Sequence, residues 1–77
     1  MTRYFFDLQN DYGLMRDDEG VEFADLEAVR SEVINSLPAM AAGQIQKNGD
    51  RLDFEMTVRD ATGAIMTANL SFAFNRL

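Results

Sequence analysis

At 77 residues, with no cysteine and no histidine, the chain has room for a single core and cannot brace it with disulfides, thiolate clusters or imidazole-ligated zinc. Its 47% hydrophobic and 26% charged residues are those of a folded globular domain. The net charge of −6, with Lys47 the one lysine, opposes the phosphate contacts that give nucleic-acid binding most of its affinity, so no nucleic-acid partner is expected.

Folding at this size hides only about 60% of the surface of the unfolded chain, which leaves a partner subunit as the remaining support. The opening residues lack the apolar run of a signal peptide, and no stretch reaches the roughly 18 apolar residues of a membrane span. A cytoplasmic protein with no membrane partner is the expectation. The charge is uneven: residues 1–27 hold eight acids against Arg3 and Arg16, and the rest of the chain sums to zero. A solvated face is the plain reading, and a surface for a basic protein partner the functional one.

Tyr4-Phe5-Phe6-Asp7-Leu8 reads as a first strand, closed by the turn-forming cluster Gln9 to Gly13. Leu14-Met15-Arg16 returns, and Asp17-Asp18-Glu19-Gly20 supplies a turn or bulge before the short extended piece Val21-Glu22-Phe23, so the returning strand is expected to be interrupted. Asp25 is a good helix N-cap, with Glu27 favourably placed in the first turn. Leu26, Val29, Val33, Leu37 and Met40 then recur at helical spacing on one face, opposite Glu27, Arg30, Ser31 and Asn35. Pro38 predicts a bend or break near Leu37, with Ala39 to Ile45 as a second helical segment stopped by Asn48-Gly49.

From Leu52 the period becomes two. Leu52, Phe54, Met56 and Val58 alternate with Asp53, Glu55, Thr57 and Arg59; after Asp60-Ala61-Thr62-Gly63, Met66, Ala68, Leu70, Phe72 and Phe74 alternate with polar residues. The result is one α+β domain over residues 1–77, of order ββαββ, an antiparallel sheet carrying one kinked helix on one face.

Arg3-Tyr4-Phe5-Phe6, Arg16-Asp17-Asp18-Glu19-Gly20-Val21-Glu22, Asp25-Leu26-Glu27-Ala28, Val58-Arg59-Asp60 with Gly63, and Leu70-Ser71-Phe72 together resemble a family of short domains of unknown function common in alphaproteobacteria. The resemblance implies a stand-alone bacterial protein and no known site. The strand order and the acidic stretch also look distantly like the N-terminal domain of HicB-type antitoxins, whose proline-glycine-cysteine loop is missing here.

For chemistry the sequence offers little. Setting Gly20 at the sixth position of a calcium loop puts Met15 and Leu26 where carboxylates are required, so no metal is expected. The serines lack a base, the glycines match no phosphate loop, and carboxylates alone need a cleft. No catalytic residue and no cofactor is assigned; a small carboxylate enzyme and an antitoxin-like regulator remain the alternatives. The favoured reading is an interaction or assembly module, most simply a homodimer. Its candidate surface is Phe5, stranded by alternation on the face away from the helix, with Asp17, Asp18, Glu19 and Glu22.

Overall fold

The computed structural model describes residues 1–48, 51–75 and 77. The elements are β1 (Thr2–Asn10), β2 (Gly13–Met15), β3 (Val21–Phe23), α1 (Leu26–Asn48), β4 (Arg51–Asp60) and β5 (Gly63–Ala73). All pairing is antiparallel, in the order β2-β1-β4-β5, with β3 also on β1. β2 and β3 therefore share one edge: β2 pairs with Leu8 to Asn10, and β3 with Thr2 to Tyr4. The expected interruption lies between them. Connections longer than a tight turn occur only at that interruption and at the helix, which carries the chain from β3 to β4 and lets β4 pair with β1.

Two hairpins are closed by the same device. Asn10 Oδ1 accepts from the Tyr12 amide at 2.8 Å and Asp60 Oδ1 from the Thr62 amide at 2.8 Å. In each the fourth residue is a glycine in the left-handed region, Gly13 at φ 140° and Gly63 at φ 123°. An Asx side chain imitates the turn's first backbone bond, and glycine accepts the conformation other residues resist.

The core follows the two periods. Leu52, Phe54, Met56 and Val58 are all buried, as are Tyr4 and the helix row Val29, Val33, Leu37 and Ala41. On β1 and β5 the facing residues Phe6, Leu8, Met66, Ala68, Leu70 and Phe72 are only partly covered. Asp25 caps the helix as expected, accepting from the Ala28 amide at 2.8 Å.

Of the bend or break expected near Leu37, the break does not occur, and the width of the buried stripe is corrected. It runs unbroken through Pro38 to Asn48, without a second segment beginning at Ala39; Gly49 lies outside the described residues. Pro38 and Ile34 both sit on the exposed side, where water can take the bond that the Ile34 carbonyl loses, and the four-residue row buries side chains on both sides of the proline. The buried row is also narrower than the sequence stripe. Leu26, in the first turn, and Met40 are exposed, and Ala41 replaces Met40 against the sheet. No helix among the described residues is long and apolar enough to cross a membrane.

Candidate interaction surface

The break in the β2–β3 edge leaves the middle of β1 without a strand partner on that flank, and Asp17 takes the strand's place. Its carboxylate accepts the Phe6 amide at 3.1 Å from β1, and the Glu19 and Gly20 amides at 3.0 and 3.1 Å from its own turn. The Asp17 amide in turn donates to Asp7 Oδ1 at 2.9 Å. Arg3 reaches back to the Glu19 and Gly20 carbonyls at 2.8 and 3.3 Å. Gly20, at φ +72°, lies so close to β1 that an added Cβ would stand 2.9 Å from the Tyr4 carbonyl oxygen, Phe5 Cε1 and Arg3 Cγ. Backbone cannot move aside as a side-chain tip does, so this is a position for glycine.

Arg59 completes the arrangement from β4. It stands opposite Phe5 in the β1–β4 register. Its Nε donates to Asp7 Oδ2 at 2.7 Å and its Nη2 to the Asp17 carbonyl at 2.6 Å. The guanidinium lies 4.6 Å from the centroid of the Phe5 ring, within range of a cation–π contact. The ion pair is well shielded, with 20% of the Arg59 side chain and 13% of that of Asp7 exposed. The Arg59 hydrogen bond holds the Asp7 carboxyl below its ordinary range, against the opposing effect of burial. For Asp17 the Gly20 amide does most to hold the carboxyl low, again against burial, with the Phe6 and Glu19 amides assisting. Both carboxylates stay ionised and occupied. They form a brace, not an acid–base pair.

Of the five candidate surface residues, two are thus engaged within the chain: Phe5 is half-buried beneath Arg59, and Asp17 is spent on backbone amides. Asp18, Glu19 and Glu22 are exposed, Glu22 paired in register with Arg3 along β3. Asp7 and Arg59 had no signal in spacing alone, because they meet across 52 residues of sequence.

Two depressions accompany the brace. One, of about 400 Å³, lies on the sheet face away from the helix, where Asp53 accepts from Ser71 Oγ at 2.7 Å with Glu55 and Asn69 nearby. The other, of about 300 Å³, is apolar and runs between α1 and β3, floored by Phe6 and Met56 and walled by Val21, Phe23, Val33 and Met40. Among the described residues no three acids converge to hold a metal ion. Exposed apolar side chains are numerous: Leu14, Met15, Val21, Ile34 and Phe74 each show half or more of their surface.

Among known proteins, the family model described as "Domain of unknown function (DUF6894)" matches residues 3–71. No curated protein and no solved structure matches.

Proposed function

The chain belongs to the DUF6894 family, and on that footing we propose that it is a self-associating protein-interaction module whose exposed acids face outward to a basic partner. The observation that carries this reading is surface area. The fold exposes 5630 Å², whereas a compact monomer of this mass exposes about 4,700 Å² by the usual scaling of surface with mass. The surplus is about the area that one partner contributes to a standard protein interface. Leu14, Met15, Val21, Ile34 and Phe74 are among the large apolar side chains left in water, and burying them is what association would gain. The acidic side, with Asp18, Glu19 and Glu22 exposed on the β3 side of the sheet, supports a positively charged second partner through steering more than through burial.

Light scattering coupled to size exclusion at tens of micromolar tests the proposal. The expected mass is twice the chain's 8.7 kDa. A mass near 8.7 kDa itself would reject it.

A further inference from the structure

The sheet has two edges, and they are built differently. The β2–β3 edge carries the usual protections against pairing with another sheet: two three-residue strands, a break between them, and Arg16, Asp17, Asp18, Glu19 and Glu22 in or beside the break. The β5 edge has little of this. It runs 11 residues, Gly63–Ala73, without a proline or a single charged side chain. Its one irregularity, opposite Val58 and Arg59, is at the hairpin end, so pairing with β4 is uninterrupted from Val58↔Met66 to Arg51↔Ala73. A long, uncharged edge is what a neighbouring strand pairs with most readily.

We infer that β5 pairs antiparallel with β5 of a second copy, joining the two sheets into one across a two-fold axis, with both helices on the same face. The inference rests on the self-association proposed above and names its surface.

Three observations favour a second copy as the occupant. The first is charge: the whole net charge of −6 lies in residues 1–27, which form β1, the β2–β3 edge and the start of α1. Pairing through β5 sets the two acidic halves at opposite ends of the joined sheet, whereas pairing through the other edge would bring them together. The second is the apolar row of β5. Met66, Leu70 and Phe72 are only partly buried, and an antiparallel copy would lay its own identical row beside them on the same face. The third is the helix. α1 packs on β4 and β5, and its groove toward β3 is lined by Glu32 and Ser36. At about 100° per residue, Ile34 stands on the opposite flank, toward β5, and it is 54% exposed. Two helices each lying over the β4–β5 boundary would be separated by two strand spacings, about 10 Å, which is the ordinary distance for helices in contact. Ile34 would then be covered by its symmetry mate.

Amide hydrogen exchange followed by NMR, at concentrations bracketing the dimer's dissociation, tests this on the unmodified protein. In an edge strand every second amide points away from the sheet and exchanges freely. The outward amides between Met66 and Phe72 are expected to slow at least about tenfold as the protein is concentrated, with no such change along β3. A second arm places lysine at two exposed β5 positions, Thr67→Lys with Asn69→Lys, and reads mass by light scattering and fold by circular dichroism. Both substituted side chains face solvent, so the fold is expected to persist while dimer dissociation becomes at least about tenfold easier. A wild-type mass near 8.7 kDa would defeat the self-association reading and this inference with it. A doubled mass with freely exchanging outward β5 amides would defeat this inference alone, and would move the interface to the apolar groove beside β3. If the double variant does not fold, the exchange result on the wild type decides by itself.

Discussion

Replacing Phe54 by alanine is expected to bring the melting temperature down by tens of degrees. Phe54 stands on β4 with 2% of its surface exposed, in a strand flanked by β1 and β5 and beneath the helix row. Removing a buried phenylalanine costs about 3–5 kcal/mol, because the lost transfer energy is compounded by a cavity that neighbours fill only in part. A domain of this length has a total stability of about 4–12 kcal/mol, and each kcal/mol lost moves the midpoint by about 4–8 °C. Glu55→Ala, one residue on and exposed, serves as the control and is expected to change stability by no more than about 0.5 kcal/mol. Thermal and urea unfolding followed by circular dichroism give both values. A loss below about 1 kcal/mol for Phe54→Ala would mean that α1 does not seal the sheet as described.

The second large effect is expected at Asp17, and it carries a pH signature. Asp17→Ala removes the acceptor of three backbone amides at once, two in its own turn and one on β1. Bonds to a charged acceptor contribute about 1.5–3 kcal/mol each when buried; with the turn partly open to water, a loss of about 3 kcal/mol in all is expected. The sign with pH follows from the direction of the shift. Asp17 and Asp7 have folded-state pKa values below the ordinary 3.8, so their stabilisation is fully present above that value and is lost as pH falls through the lower folded value. Wild-type stability should therefore decline from about pH 5 downward, and the decline should be shallower in Asp17→Ala. Urea midpoints measured from about pH 7 to pH 2 test this. Parallel curves for the two proteins would show that Asp17 is not what the acid titrates.

Much of this architecture is legible in the sequence wherever a single element carries the signal. The alternation from Leu52 to Val58 predicts the buried face of β4 residue by residue, Asp25 predicts the helix start, and Asp17 to Gly20 predicts the interrupted edge. Where two elements must be brought together, spacing is silent. Alternation places Arg59 and Asp7 on the polar face of their strands, but which residue of β1 stands beside which residue of β4 depends on pairing across the helix. The brace over Phe5 is therefore invisible until the register is known. Helix periodicity alone does not say how wide a stripe the sheet covers, and Leu26 and Met40 fall outside it. Pro38 forecasts a break by its local chemistry, yet its position on the solvent side makes the lost bond tolerable. DUF6894 membership adds no site chemistry to these turns and caps.

The strand order also sets when the chain can fold during its own synthesis. β1 is made first and ends up inside the sheet, with one flank filled within the next two dozen residues and the other empty until β4 arrives, after the whole of α1. The helix is in the same position, since the strands beneath its buried row are chiefly β4 and β5, which follow it. Everything up to Asn48 can form local turns, a transient helix and a small contact between α1 and β3, but not the core that β4 completes. Folding is thus deferred to the last third of the chain and is cooperative once it begins, so a fragment of residues 1–48 should melt without a sigmoidal transition by circular dichroism. Until β4 emerges, the aromatic strand Tyr4-Phe5-Phe6 has one flank open, and the acids clustered around it help keep the unfinished chain apart from its neighbours.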